Sequence, residues 1–399
     1  MDKLDNKRTQ STWLSYFSIL TIFCCAFSYF SYVSADPDLW GHIKFGADHW
    51  IDGKLAETDP YSFTAEGHRW INHEWLSEII FYLTYQIFGS AGLLIGKLTI
   101  GLCMTAIIIK ICGMRYRDPL ILVIVLILAS FVARKGFMIR PQLFSFLFFS
   151  VFLYLFHQFF EKQKNRIYLI PIIMVLWVNL HGGFLMGWAL VMGVVGWKTL
   201  EKLIRGKQVD QLGILWMWAL FTSLSTLLNP YGINLLIFLY ESLSVPRQIT
   251  EWAPIPLMDI SFIRLKLTAL LFLIVLLSSS RKAIGWESAA IAAIMLASFR
   301  QQRHSPFFAI AAAPFLVYWL SIVLDRIRHR YPTIRLSQNS IIAIMVVLCI
   351  VSSYQIVKGG YRYIAGRFNI IVDLNEYPVG AVKYLKANHL RGNVILPFT

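Results

Sequence analysis

The sequence predicts an all-α polytopic membrane protein, and its composition and hydropathy carry that prediction. Of its 399 residues, 57% are hydrophobic and only 15% are charged, whereas a soluble domain carries roughly 25% charged residues. The mean hydropathy is +0.59. Phe, Trp and Tyr together make up 15% of the chain, and aromatic enrichment of this kind is typical of the headgroup region of membranes.

Apolar runs of helical length predict about 11 transmembrane helices. The first follows a polar and then basic N-terminus, MDKLDNKRTQSTW, and no A-x-A-like cleavage signal interrupts it. About 20 apolar residues are needed to cross the hydrocarbon core. Two runs, 119–134 and 167–180, are short, so merged or re-entrant pairs stay open. The predicted helices lie at about 13–34, 91–112, 119–134, 142–160, 167–180, 183–198, 211–228, 265–279, 285–299, 305–324 and 338–357.

The basic residues predict the orientation of the chain, because cytoplasmic loops carry an excess of Lys and Arg. With the N-terminus inside, every predicted inner loop is basic. The sequence therefore predicts a multi-pass protein of the cell inner (plasma) membrane with a cytoplasmic N-terminus and an extracytoplasmic C-terminal tail. The formal net charge of +15 is attributed to these loops, and to sites for anionic groups, rather than to nucleic acid.

The chain is expected to form a transmembrane domain, 1–357, followed by the start of a soluble α/β unit, 358–399, which looks truncated. The first outer loop, about 35–90, should hold two interfacial amphipathic helices, one in WGHIKFGADHWIDG and one beginning at Trp75. A later outer loop, about 229–263, ends in a proline-rich segment that favours irregular structure. In the tail, PVGAVKYLKANH predicts a helix and NVILPF a strand.

Acids and histidines gather in the first outer loop. Asp36 and Asp38 follow the first helix directly, and His73 and Glu74 immediately precede the second interfacial helix. A carboxylate in a low-dielectric mouth has a raised pKa and can act as a general base. Acids at a membrane exit are often only solvated, but two acid–histidine clusters bracketing one loop favour a reaction centre. Trp40 and His42 lie next to the aspartates and are candidates for substrate binding.

Basic and polar residues also recur where helices leave the bilayer on the predicted outer side. An Arg within the bilayer costs roughly 2.5–3.5 kcal/mol and needs an anion, although snorkelling to lipid headgroups is the alternative for each residue alone. A glycine pair follows Asn179 and His181, and it permits either close helix packing or a break in the helix. The candidate binding residues are Arg134, Arg140, Asn179, His181, Arg300, Arg303 and His304.

These residues could also form a site for a divalent metal ion. The outer side is predicted to hold enough nitrogen and oxygen ligands for one, together with the aspartates. No H-E-x-x-H or C-x-x-C spacing supports it. The ligands that could contribute are His42, His73, Glu74, His181 and His304.

Several motifs together resemble a family. They are DPDLWGHIKFG, DPYSFTAEGHRWINHEWLSEIIFYLTY, RPQLFSFL, WVNLHGGF, NPYG, ITEW and RHSPFFAIAAAP. Over about residues 30–399 the chain is similar to the GT-C superfamily of lipid-linked-sugar glycosyltransferases. The similar group is the bacterial one near the dolichyl-phosphate-mannose and lipid A aminoarabinose transferase-like proteins.

The resemblance implies a polyprenyl-phosphate-linked sugar donor, an envelope glycan, lipid or protein as acceptor, and contact with membrane lipids. Asp36 and Asp38 match the acidic motif of the first outer loop, and His73 and Glu74 fall where related enzymes have a second loop motif. The outer-side arginines would stabilise the departing lipid phosphate. This sequence has Asp-Pro-Asp where the family has an Asp-Glu pair, so the identity of the base stays open between Asp36 and Asp38.

Two other functions remain as alternatives. A transporter or flippase of lipid-linked glycans would place charged residues in the middle of several helices or show inverted repeats; here the polar residues gather at the outer rim and no repeat is evident. A non-catalytic membrane protein of envelope assembly would use the same loops only to bind partners.

Overall fold

The structure, a computed structural model, is built from helices. It describes residues 2–62, 64–115, 118–206, 211–244, 249–331, 337–366, 368–372, 374, 377–390 and 392. Within these residues β structure is limited to two isolated bridges. The α-helices are α1 (Asp2–Phe30), α2 (Leu39–Asp52), α3 (Trp75–Cys112), α4 (Pro119–Ala133), α5 (Gln142–Lys162), α6 (Leu169–Leu180), α7 (Phe184–Arg205), α8 (Leu212–Ser225), α9 (Ile233–Ser244), α10 (Ile263–Ser278), α11 (Trp286–Arg300), α12 (Ser305–Arg330), α13 (Gln338–Ala365) and α14 (Val379–Ala387).

Seven helical segments of the described chain are long and apolar enough to cross a membrane. They are Trp13–Phe30, Trp75–Cys112, Pro119–Gly136, Gln142–Lys162, Ile260–Ser278, Gln302–Arg330 and Asn339–Lys358. A helix overlaps each of the 11 predicted segments, but some are too short. α6 has 12 residues and is therefore about 18 Å long, against a hydrocarbon core of about 30 Å. The all-helical, membrane-embedded fold is confirmed, and the 11 crossings stay a prediction.

The bundle is centred on α12. Its stretch FFAIAAAPFLV, residues 307–317, is buried throughout. Small side chains in the middle of this stretch let neighbouring helices approach closely, which is how membrane helices gain packing without a hydrophobic driving force. Phe307 packs on Phe146 and Phe149 of α5 with ring centroids 5.1 Å apart in both pairs. This core fixes the predicted outer ends of α4, α5 and α12 relative to one another.

Both helices predicted in the first outer loop are present. The first is α2, which ends at Gly53 in the left-handed conformation at φ 65°. The second forms the beginning of α3, which is interrupted at Gly89 with φ 60° and ψ −155°. That backbone conformation favours glycine, so the chain changes direction there, between the part of α3 that is predicted to be interfacial and the part that is predicted to span the membrane.

Two segments differ from the prediction. The sequence predicts a loop at 229–263, but its first half contains the helix α9. α9 has 12 residues and buries Leu235 and Leu239, so it is too short to be recognised as a span. The last predicted transmembrane helix ends at about 357, whereas α13 continues to Ala365.

The tail after α13 packs against the start of the first outer loop. The Ala35 N–H donates to Ile371 O at 2.7 Å, and the Ile371 N–H donates to Val33 O at 2.9 Å. The Tyr377 hydroxyl donates to Ala35 O at 2.9 Å. α14 falls within the segment PVGAVKYLKANH, for which a helix is predicted. The predicted strand NVILPF lies outside the described residues. The tail therefore holds the backbone directly before Asp36.

Candidate functional site

Asp36 and Asp38 share one arginine. The Asp36 side chain is buried, and its Oδ1 accepts the Asp38 N–H at 3.0 Å and lies 2.5 Å from Arg140 Nε. One terminal nitrogen of Arg140 lies 3.1 Å from Asp38 Oδ2, and the other donates to both carboxylate oxygens of Glu251 at 3.1 Å each. Arg140 lies in the turn before α5, so this turn, the first outer loop and the segment after α9 meet at one guanidinium.

The two aspartates differ in accessibility. Burial raises the pKa of Asp36 above its usual range, and the positive charge of Arg140 offsets only part of that effect. The Asp38 side chain is 60% exposed. Only Asp38 of the pair can therefore be reached by a molecule approaching from solvent in this conformation.

A second group of side chains surrounds Glu74 at the start of α3. His73 Nε2 and His181 Nε2 lie 3.6 and 3.5 Å from Glu74 Oε1, and His42 Nδ1 lies 3.8 Å from Oε2. Burial opposes the ionisation of Glu74, but the surrounding histidines, His73 first, together with Arg303 lower the pKa of Glu74. Glu74 is therefore an anion near neutral pH.

His181 is held in one tautomer. Burial lowers its pKa to about 3, so its ring is neutral. Its Nδ1 accepts the Gly183 N–H at 2.9 Å and lies 2.7 Å from the Ser145 hydroxyl, whose oxygen accepts the Trp177 indole N–H at 2.7 Å. The proton of His181 is thus on Nε2, which faces Glu74.

Three residues that the sequence interpretation missed complete this group. The carboxylate of Glu78, one turn after Glu74 on α3, lies 3.1 Å from His42 Nδ1. Asn72 Nδ2 donates to Glu78 Oε2 at 2.5 Å and lies 2.9 Å from His49 Nε2. Burial opposes protonation of His42, but the hydrogen bond to Glu78 and the charge of Glu74 raise its pKa above the usual value. The sequence does hold one signal for Glu78. It follows Glu74 by four residues at the start of a predicted helix, and residues at that spacing lie on the same face of a helix.

A divalent cation would find three of these groups in place. The ligand atoms of His42, Glu74 and Glu78 all lie within 4.8 Å of one another. One imidazole nitrogen with two carboxylate oxygens is a ligand set that several divalent metals accept. The described part of the chain brings neither aspartate into this set, and His304 instead contacts Gln301 Oε1 at 3.1 Å.

A cavity of about 480 Å³ lies at the ends of α4, α10 and α12, on the predicted outer side. Four cations line it, and each lies over an aromatic ring. The centroid distances are 5.8 Å for Arg134 over Tyr32, 3.9 Å for Lys135 over Phe262, 3.6 Å for Arg264 over Phe131 and 5.1 Å for Arg303 over Trp252. Among the residues that the structure describes, no carboxylate comes within 4 Å of these four cations. Glu251 also lines the cavity and is bound to Arg140.

No protein-family model matches this sequence, and no curated protein is significantly similar to it.

Three of the predicted residues have other neighbours. The Trp40 ring packs edge-on against Tyr85 at 5.8 Å. Asn179 accepts the Trp75 indole N–H at 3.1 Å and donates to two backbone carbonyls, at 2.7 and 2.9 Å, so its hydrogen-bonding groups are already used within the protein. Arg300 is exposed on the last turn of α11 and does not line the cavity.

Proposed function

We propose that this protein is a membrane glycosyltransferase that moves a sugar from a polyprenyl-phosphate-linked donor to an acceptor on the extracytoplasmic face of the membrane. The observation that carries the proposal is a cation-lined cavity joined to a group of acids. Glu251 lines the cavity and binds Arg140, and Arg140 also contacts Asp36 and Asp38. A phosphate in the cavity would therefore lie beside carboxylates that can take a proton.

The cations of the cavity would bind the donor phosphate. Arg guanidinium groups bind phosphate oxygens through charge-assisted and often bidentate hydrogen bonds. Because negative charge grows on the phosphate as the sugar leaves, fixed cations stabilise the transition state more than the ground state. Arg134, Arg264 and Arg303 are the guanidinium groups assigned to this role, with Lys135 beside them.

Asp38 is the base in this proposal. An acceptor hydroxyl gives its proton to the Asp38 carboxylate while its oxygen forms a bond to the anomeric carbon of the sugar. The bond from that carbon to the phosphate oxygen breaks, and the lipid phosphate leaves with the electron pair. Asp36, buried against Arg140, is a positioning residue that fixes the guanidinium and the backbone of Asp38.

The group around Glu74 would bind the sugar. Glu74 and His73 are partly accessible, with 17% and 32% of their side chains exposed. An ionised carboxylate beside imidazoles can accept and donate hydrogen bonds to sugar hydroxyls. The charge of Glu74 also acts on Arg303 of the cavity, so sugar and phosphate would occupy adjacent places.

The test uses the full chain in proteoliposomes with polyprenyl-phosphate sugar donors. Asp38→Asn is expected to lower the transfer rate by about 100-fold or more, because general base catalysis contributes about that much. Asp38→Glu should keep part of the rate. Asp52→Asn, on the exposed end of α2, is the matched control and should transfer normally.

Two outcomes would contradict the proposal. Full transfer by both Asp38→Asn and Asp36→Asn would remove the catalytic role of the first loop. Translocation of the labelled lipid without any transfer would identify a flippase instead.

A further inference from the structure

We infer that His42, Glu74 and Glu78 bind a divalent transition-metal ion, Zn²⁺ in the first place, which fastens α2 to the start of α3. Binding of the ion does not depend on the proposed function. Its consequence for catalysis does rest on that proposal, because α2 begins at Leu39, directly after the proposed base Asp38. An ion that holds α2 in place therefore also positions Asp38.

The charges of Glu74 and Glu78 lack a permanent cation beside them. Only 17% and 3% of these side chains are exposed. Among the residues that the structure describes, no Lys or Arg lies within 4 Å of either carboxylate, and the ionisable neighbours at that distance are histidines. Two ionised carboxylates this close together and this far from water need positive charge between them. A proton on His42 supplies one charge, whereas a divalent ion supplies two.

One oxygen of each carboxylate lies close to the same imidazole nitrogen. Glu78 Oε1 is 3.1 Å and Glu74 Oε2 is 3.8 Å from His42 Nδ1, and the three side chains offer ligand atoms within 4.8 Å of one another. Two ligands that bind one ion at about 2.1 Å lie about 3–4 Å apart, so both distances to His42 suit a common ion. The ion would take the place of the proton between His42 and Glu78.

The other oxygen of each carboxylate is held by groups that do not contact His42. Asn72 Nδ2 donates to Glu78 Oε2 at 2.5 Å, and the Nε2 atoms of His73 and His181 lie 3.6 and 3.5 Å from Glu74 Oε1. Outer groups of this kind orient the ligands of metal sites. The arrangement leaves Glu78 Oε1 and Glu74 Oε2 for the ion, while Glu74 Oε1 and His73 remain for the hydroxyls of a sugar.

The crossing of α2 and α3 brings the ligands close before any ion binds. A side chain at Gly46 would overlap the backbone of Glu78, so the two helices approach closely there. His42 precedes Gly46 by four residues and therefore lies on the same face of α2. Because the site is largely preformed, binding would cost little conformational entropy.

The ligand types favour zinc over magnesium or calcium. An imidazole nitrogen suits Zn²⁺, whereas Mg²⁺ and Ca²⁺ take oxygen ligands. His49 also lies near Glu78, but its Nε2 accepts from Asn72 Nδ2 at 2.9 Å and is therefore already used. One nitrogen and two oxygens would thus hold the ion and leave a tetrahedral position open for water.

The experiment titrates Zn²⁺ into the full chain in nanodiscs after a chelator has removed bound metal. We expect one tight equivalent and a melting temperature that rises with Zn²⁺ concentration, because a ligand of the folded state alone stabilises it. Mg²⁺ at the same concentration should give no such rise. Co²⁺ in place of Zn²⁺ should absorb in the visible region without the strong near-ultraviolet band of a cobalt–thiolate bond, since the site contains no cysteine.

Variants decide whether the ion lies between α2 and α3. His42→Ala and Glu78→Gln should each lower the affinity for Zn²⁺ by about 100-fold or more, and Asn72→Ala by about tenfold, because loss of an outer partner alone costs about 10–100-fold. His68→Ala and Glu66→Gln, at exposed positions of the same loop, are the matched controls and should bind Zn²⁺ as the wild type does.

The positioning of Asp38 is tested by kinetics. Removal of the ion should lower kcat for sugar transfer and leave the KM for the donor nearly unchanged, because Asp38 acts in the chemical step. Equal kcat values with and without bound Zn²⁺ would reject the positioning role.

Three results would overturn the metal site: no tight equivalent of Zn²⁺, a cobalt–thiolate spectrum, or an affinity that His42→Ala and Glu78→Gln leave unchanged. Zn²⁺ binding by a protein that transfers no sugar would uphold the metal site and reject the proposed glycosyltransferase. Sugar transfer by a protein that binds no Zn²⁺ would do the opposite, so the two failures are distinguishable.

Discussion

His42 is a residue whose charge depends on its neighbours. It lies on α2, and its Nδ1 faces Glu78 at 3.1 Å and Glu74 at 3.8 Å. These contacts raise its pKa above the usual 6.5 although burial acts the other way. Protonated His42 therefore links α2 to α3 electrostatically, and the neutral ring loses most of that attraction.

Stability should consequently depend on pH through this residue. A histidine with a raised pKa in the folded state stabilises the protein fully below the unfolded value of 6.5, and that contribution is lost as pH rises through the raised value. The melting temperature in nanodiscs should fall across this window, and His42→Gln should flatten the fall. His68→Gln, at an exposed position, is the control. An equal slope in the wild type and in His42→Gln would contradict the assignment.

At the scale of elements, the crossing of α2 and α3 brings together His42, Glu74 and Glu78, the acid–histidine group. Gly46 of α2 touches the backbone of Glu78, and a Cβ at Gly46 would lie 2.1 Å from the Glu78 carbonyl oxygen. A contact with backbone cannot be relieved by rotating a side chain. The close approach of the two helices therefore depends on glycine at this position.

Gly46→Ala should force α2 away from α3. Overpacking of this kind costs about 1–3 kcal/mol, and we expect a lower melting temperature and a weaker response of stability to pH, since His42 moves away from Glu78. Gly41→Ala is the matched control on the same helix, because its nearest neighbour would be a Phe45 side-chain carbon at 3.7 Å. Equal stability of the two variants would show that the helices do not cross as closely as described.

The whole molecule places the cation-lined cavity and the acid–histidine group at one end of the bundle. The cavity takes residues from the ends of α4, α10 and α12, and the tail after α13 returns to pair with Val33 and Ala35. Segments that are far apart in the chain thus enclose the same region. The basic loops predict that this end is extracytoplasmic.

Cysteine labelling tests that orientation. With a membrane-impermeant maleimide, Glu66→Cys in the first outer loop should react in intact cells, because that position is exposed on the predicted outer side. Lys282→Cys, exposed on a predicted inner loop, should react only after permeabilisation. The wild-type chain, whose five cysteines lie in apolar runs, gives the background. The reverse labelling pattern would place the site in the cytoplasm.

The sequence by itself determined the membrane-embedded helical fold, because run length and composition are local properties of the chain. The same local patterns located both helices of the first outer loop and the tail helix α14. α9 was missed, since its 12 residues carry too short an apolar run to separate a helix from a loop.

Only the tertiary structure decided which charged groups meet. The sequence indicated that Arg140 needs an anion, but its partners Asp36 and Glu251 lie more than 100 residues away along the chain, and no local pattern encodes such a contact. From the sequence, Glu78 is one more polar residue of an amphipathic helix. Its contact with His42 exists only because α2 packs against α3 at Gly46. Burial and pairing of charges are consequences of packing. Packing places Arg140 among three carboxylates, whereas the four cations that line the cavity remain available to a ligand.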